Sequence, residues 1–105
     1  MNEYILFMHD DAVDPSIADD VARWEQYLSK LRASGQFDGG SSIGPGVLAR
    51  RDGTIVPAPS HVNGYIRVRA ESLEAAQRFL AGNPNYDAGG TVEVRELLHS
   101  STQAA

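Results

Sequence analysis

Two periodicities of apolar residues alternate along the chain, and the switches between them mark its elements. Tyr4-Ile5-Leu6-Phe7-Met8 is an unbroken apolar run of β-favouring residues, the pattern of a strand covered on both faces. The predicted strand spans Glu3 to His9. After a polar break from Asp10 to Pro15, residues Ile17, Val21, Trp24, Leu28 and Leu31 recur at steps of four and three, which lays one apolar stripe along a helix. Pro15 near its first position or Ser16 as N-cap, with Asp19 in Ser-x-x-Asp spacing, begins that helix, and Gly35 follows its end.

Phe37 to Gly46 contains four glycines and reads as a turn or bulge leading into a strand at Val47–Arg50. Asp52-Gly53 then supplies a hairpin turn into Ile55-Val56. Pro57 and Pro59 stop this second arm, because neither can donate to a ladder. Tyr65 to Ala70 alternates, with Ile66 and Val68 on one face and Tyr65, Arg67 and Arg69 on the other. Ser72 caps a second helix in which Leu73, Ala76, Phe79 and Leu80 share a face, ending near Gly82-Asn83-Pro84. The last strand runs from Thr91 to Leu98, with Val92, Val94 and Leu98 opposite Glu93, Arg95 and Leu97.

The resulting order is β-α-β-β-β-α-β, which becomes β-α-β-β-α-β when the central hairpin is counted as an excursion. That is the ferredoxin-like α+β order, with two helices on one face of the sheet. Residues 1–98 form a single domain in this reading, and 99–105 a flexible C-terminal tail. A first strand that is apolar on both sides needs a second cover, and a chain of 11.3 kDa has no third layer to supply it. A homodimer joining two sheets face to face meets that need.

Composition narrows the function classes. A length of 105 residues fits one core. With 42% hydrophobic and 22% charged residues, the chain has ordinary globular proportions, and no apolar run approaches the ~20 residues of a membrane span. Met1-Asn2-Glu3-Tyr4 has no basic n-region, so a signal peptide is not expected and the cytoplasm is the default compartment. Zero cysteines exclude a disulfide scaffold, a thiolate zinc site and a cysteine nucleophile. A formal charge of −5 with nine scattered Lys and Arg argues against nucleic-acid binding, which needs clustered cations.

The order of elements and their residues resemble the YCII-related, or DGPF-domain, family of small dimeric α+β barrels. The resemblance rests on Tyr4-Ile5-Leu6-Phe7-Met8-His9, on Trp24-x-x-Tyr27-x-x-x-Leu31-x-x-x-Gly35 and on Gly64-Tyr65-Ile66. It continues through Ser72-Leu73-Glu74-Ala75-Ala76 and Asn83-Pro84 to Gly89-Gly90-Thr91-Val92-Glu93-Val94-Arg95. It implies a homodimer with a small-molecule cleft between sheet and helices. Two departures bear on function. The Asp-Gly-Pro-Phe segment is replaced by Val56-Pro57-Ala58-Pro59-Ser60-His61, so its ligand contacts do not carry over. The histidine that one branch of the family places on its first helix aligns with Trp24, and an indole cannot exchange a proton as imidazole does.

Two histidines are the candidate proton-transfer groups, and one aspartate their candidate catalytic partner. His9 follows the first apolar run and precedes Asp10 and Asp11; it either sits at a cleft mouth tuned by carboxylates or makes an ordinary strand-end hydrogen bond. His61 lies on the segment that replaces the family's signature loop, as a ligand contact or a solvated loop histidine. Asp10 is placed to orient either one. A Ser60-His61 pair would need a mutual geometry that adjacency in sequence does not provide. The candidate ligand-binding residues are Trp24 as an aromatic wall, Ser42 and Ser60 as hydroxyl partners, and Arg50 for a carboxylate or other polar group. For Trp24 the competing reading is core packing, and for the serines turn chemistry.

No metal or cofactor is implied. The acidic run Asp10, Asp11, Asp14, Asp19 and Asp20 lacks the glycine and terminal glutamate of a calcium loop. Gly44-x-Gly46-x-x-Ala49 matches a phosphate fingerprint in letters, but a strand follows it where that motif needs a helix. The functional reading is a homodimeric protein that binds a small molecule, as an enzyme acting by acid/base chemistry or, alternatively, as a non-catalytic interaction or accessory module.

Overall fold

Side-chain alternation in the first strand organises the molecule. The computed structural model describes residues 1–99, and residues 100–105 of the expected tail lie outside the described residues. Strand β1, Asn2–His9, buries Tyr4, Leu6 and Met8 while Ile5, Phe7 and His9 stay partly exposed. Within one chain, α2, α3 and the 3₁₀ turn that follows pack against the side that carries Tyr4, Leu6 and Met8. Ile5 and Phe7 lie on the face without helices.

The expected first helix is two helices. Helix α1, Pro15–Ala18, is capped by Asp14, whose carboxylate accepts from the Ser16 N–H; α2, Val21–Ala33, is capped by Asp20, which accepts from the N–H groups of Ala22 and Arg23. The caps are therefore aspartates rather than Ser16, and Asp19 ends α1 instead of closing a capping box. The Asp20 carboxylate, which satisfies orphan N–H groups at the start of α2, divides the stripe just after Asp19 ends α1. Gly35 follows α2 at φ 72°, a conformation glycine adopts without a Cβ penalty.

Strand β2, Phe37–Ser42, stands where the sequence suggested a turn. It is the strand that the ferredoxin-like order requires, and its glycines hid it. A register shift separates the pairs Phe37 with Val68 and Gly40 with Ile66, so Asp38-Gly39 forms a bulge within the strand rather than its end. The hairpin excursion is a separate ribbon of β3, Val47–Ala49, and β4, Ile55–Pro57. Its Asp52-Gly53 turn is closed by the Gly53 N–H to the Arg50 carbonyl at 3.0 Å and by Thr54 N–H to the Asp52 carboxylate at 2.9 Å.

Strand β5, Val62–Ala70, buries Ile66, Val68 and Ala70 and turns Tyr65, Arg67 and Arg69 to the other face, as its alternation predicts. Ser72 caps α3, Leu73–Ala76, accepting from the Ala75 N–H at 3.0 Å. The chain then tightens into a 3₁₀ turn over Gln77–Leu80, so the expected second helix is a single α turn and Leu73 is exposed. A further short helix, α4, Pro84–Asp87, precedes β6, Val92–Leu97. Leu98, expected beside Val92 and Val94, lies beyond β6 and is exposed.

The main sheet is antiparallel with order β2-β5-β1-β6, the ferredoxin-like topology in an α+β chain. Its core joins Tyr4, Leu6, Ile66 and Val68 to Tyr27 and Leu31 of α2 and Ala76 of α3. Complete burial of side chains such as Leu6 and Val68 stabilises by about 1.5–3 kcal/mol each. Among the described residues no helix is long and apolar enough to cross a membrane.

Gly40 sits where β2 presses most closely on β5. A Cβ there would fall 2.4 Å from the Tyr65 carbonyl oxygen and 3.1 Å from Ile66 Cα, whereas at Gly44 a Cβ would meet nothing within 4 Å. Gly40→Ala should therefore lower stability by about 1–3 kcal/mol in urea denaturation, and Gly44→Ala should leave it nearly unchanged. Equal midpoints for the two variants would contradict this account of β2.

Candidate functional site

Where β1 and β2 end and β5 begins, the sheet has few side chains on its helix-covered face. Gly40 and Gly64 fall at this end, flanked by Met8 and Ile66. The missing volume opens a cleft of about 720 Å³ beneath α2. Trp24 and Leu28 form its helix wall, and Phe37 closes one side. Polar groups gather at the rim: Asp10 and Asp19, the Arg32 guanidinium, Ser42 and Asn63. An apolar interior with a few polar groups around it is the usual form of a small-molecule site.

Trp24 is held rigidly in this wall. Its indole N–H donates to the Ala18 carbonyl at 2.6 Å, and its ring meets Tyr27 edge to face at 5.9 Å. The Tyr27 hydroxyl in turn donates to the Phe79 carbonyl at 2.5 Å. Burial raises the Tyr27 pKa above its ordinary value, partly offset by the Asn83 side chain. The Tyr27 hydroxyl therefore stays neutral at physiological pH and anchors α2 to the 3₁₀ turn. At the rim, Asn63 Nδ2 reaches the Asp10 carboxylate at 3.4 Å. Asn85, buried, reaches the cleft and donates to the Thr91 carbonyl at 3.1 Å.

The residues singled out in the sequence fall into three places. Asp10, Trp24 and Ser42 line the cleft. His9 and His61 do not line it; they meet edge to face, with ring centroids 5.8 Å apart, at the same end of the sheet. His9 follows Phe7 in the strand alternation and so projects to the face without helices, where its Nε2 pairs with Glu93 at 2.8 Å. Asp10, one residue later, projects to the cleft, and its backbone N–H donates to the His61 carbonyl at 2.8 Å. Adjacent residues of one strand thus serve opposite sides. Arg50 and Ser60 are exposed, the first at the end of β3 and the second between β4 and β5, and neither reaches the cleft.

Arg32, Asn63, Asn85 and Glu93 complete the picture without having been singled out. Arg32 had a legible signal, since it lies at i+8 from Trp24 and i+4 from Leu28 and so shares their helix face. Glu93 had none, because 84 residues separate it from His9. Among the described residues no three His, Asp or Glu side chains converge as a metal site would require.

Glu93 also accepts from Arg95 at 3.1 Å. The His9 hydrogen bond, then the Arg95 contact, hold its carboxyl below the ordinary value of 4.5. Asp11 is likewise lowered, first by the Thr91 hydroxyl and then by the Thr91 N–H. A carboxyl with a depressed folded-state pKa adds stability above its ordinary value, and that stability is lost as pH falls through the folded-state pKa. In a carbon-detected NMR titration, Glu93 should show a midpoint below 4.5, and His9→Ala should move it upward. A midpoint unaffected by the substitution would remove His9 as the cause.

Comparison with known proteins agrees with this architecture. No curated protein matches the chain by sequence. Among solved structures, the chain is similar to 5-chloro-2-hydroxyhydroquinone dehydrochlorinase from Burkholderia phenoliruptrix AC1100, in a complex with 2,5-dihydroxybenzoquinone. The TM-score is 0.59 at 15% sequence identity, over 96% of this chain and 98% of that one. At that identity the likeness establishes the shared fold. The sequence profile of the YCII-related domain matches residues 2–100, and the chain belongs to the YCII-related family.

Proposed function

We propose that the protein is an enzyme that binds a small, planar, oxygen-substituted ring compound in the cleft and acts on it by acid/base chemistry. The observation that carries this reading is the composition of the cleft: an indole and a phenyl ring on its walls, a glycine floor, and a carboxylate and a guanidinium at its rim. Trp24 and Phe37 offer flat apolar surface to a ring. Arg32 supplies paired donors for an enolate or carboxylate oxygen. Asp10 is the carboxylate that takes and returns a proton at the ring, and Ser42 hydrogen-bonds a ring substituent. The dehydrochlorinase of the same fold was solved with a dihydroxybenzoquinone, a ligand of this class.

The histidines have a different part in this reading. His9 and His61 stand across the sheet end from the cleft and do not face the ligand; the His61 main-chain carbonyl accepts from the Asp10 N–H and so fixes where that residue stands. The protein works in the cytoplasm as a homodimer in which the faces without helices join. Support for the dimer comes from Ile5, Phe7, Tyr65 and Leu97, which share that face and are only partly buried. Its charged residues also balance: Glu3 pairs with Arg67, Asp38 with Arg69 and Glu93 with Arg95. A non-catalytic dimeric module is the second reading, favoured by the same balanced face.

The probe is 2,5-dihydroxybenzoquinone. Trp24 is the single tryptophan, so one indole N–H signal reports directly on the cleft, and it should shift on titration. Trp24→Ala should weaken binding by about tenfold or more, roughly 1.4 kcal/mol. Catalysis is read as exchange of the probe's ring C–H protons for solvent deuterium. The protein should accelerate that exchange, and Asp10→Asn should reduce the acceleration by about 10²–10⁴-fold. Binding without acceleration would favour the non-catalytic module, and an unmoved indole signal at millimolar probe would sink the cleft reading.

The assembly has its own check. Light scattering should give twice the 11.3 kDa chain mass, and Phe7→Glu, which sets a new charge in the proposed interface, should give the mass of one chain.

A further inference from the structure

The β3–β4 ribbon stands apart from the rest of the molecule. Every residue from Ser41 to Pro57 is exposed, and among the described residues the ribbon's two strands pack extensively only on each other. A two-stranded hairpin is at best marginally stable alone in water. This one nevertheless carries Val47 at 64% exposure, Leu48 at 48%, Ile55 at 66% and Val56 at 44%, with Ile43 at 41% on the connection that leads into it. The register pairs Val47 with Pro57, Leu48 with Val56 and Ala49 with Ile55, which sets Val47 and Ile55 on one face of the ribbon and Leu48 and Val56 on the other, so the ribbon is apolar and exposed on both faces. The chain is correspondingly extended, with a radius of gyration of 15.4 Å against about 13 Å for a compact domain of this length.

Charge points to the surface that would receive the ribbon. Its turn carries Arg50 and Arg51 with a single acid, Asp52. The face of the sheet without helices is neutral, with Glu3, Asp38 and Glu93 matched by Arg67, Arg69 and Arg95, so the chain's net −5 lies elsewhere. Its densest part is the segment from Asp10 to Asp20, which has five aspartates and no Lys or Arg. Asp10 and Asp19 of that segment stand at the cleft rim. The chain therefore holds a cationic, apolar arm and an acidic cleft mouth, and within one copy the arm does not reach the cleft.

We propose that the β3–β4 ribbon is an exchange arm that packs on the Asp10–Asp20 segment of a second copy of this chain and brings Arg50 to that copy's cleft mouth. The inference rests on the homodimer reading and adds that each cleft is completed in trans. Two-fold symmetry makes the contact reciprocal, so both arms are buried by the same operation. Arg50 then adds a second guanidinium at a rim that already holds Arg32.

The chain has no cysteine, so Leu48→Cys gives a single attachment point for a benzophenone photo-cross-linker on an exposed side chain. Irradiation of the labelled protein should give a species of twice the chain mass on a denaturing gel. Tryptic mapping should join Leu48→Cys to the peptide that ends at Arg23, with fragment ions placing the bond between residues 10 and 20. Adding Arg50→Glu and Arg51→Glu should cut the yield of that species severalfold. A protein that scatters light as a dimer but cross-links only within one chain, or elsewhere in the second copy, overturns the arm and leaves the homodimer standing. A wild-type mass of one chain overturns both.

Discussion

The two-residue period of β1 is the constraint on which the rest of the structure depends. Tyr4, Leu6 and Met8 enter the core with almost no exposure, and their burial against Tyr27 and Leu31 fixes which face of the sheet the helices cover. Once that face is fixed, Ile5, Phe7 and His9 must project from the other. The period also decides the chemistry at the strand's end. His9 and Asp10 look like one unit in the sequence, yet the pleat sends the imidazole to Glu93 and the carboxylate to the cleft. A slip of one residue would exchange them, turning Ile5, Phe7 and His9 into the core and Tyr4, Leu6 and Met8 out of it.

Much of the fold was legible because its signals are local. The Trp24, Leu28 and Leu31 stripe, the Asp52-Gly53 turn, the Ser72 cap and the alternation of β5 all follow from chemistry within a few residues. The departures share a different cause. Gly39 and Gly40 hid β2 for two reasons: Gly39 takes a φ of 96° that favours glycine, and a Cβ at Gly40 would strike the Tyr65 carbonyl oxygen, a tertiary demand. Ser16 looked like the cap of one long helix, but two aspartates within a few residues could each cap one, and the chain uses both. Local composition does not choose between two adequate caps; the packing of α1 against α4 accompanies the choice made here.

The candidate site was legible in part for the same reason. Trp24, Asp10 and Ser42 stand out by residue type and position, and Arg32 follows from helical spacing. The His9 and Glu93 pair could not be read, since it depends on β6 lying beside β1. The cleft itself is a consequence of residues that are small rather than residues that are reactive. Gly40 and Gly64 leave space that no motif announces, and the aromatic wall has meaning only above that space.

Trp24 joins two jobs in one side chain. It walls the cleft, and its indole N–H holds the carbonyl of Ala18, the last residue of a helix only four residues long. So short a helix has little cooperative stability of its own, and the bond to the indole is a tether supplied from outside it. Anything that reorients the ring in the cleft must therefore loosen or tighten that tether. The backbone amides of residues 17 to 20 then become a gauge of the ring's position, and their protection from solvent exchange would report whether the cleft is filled without any probe placed inside it.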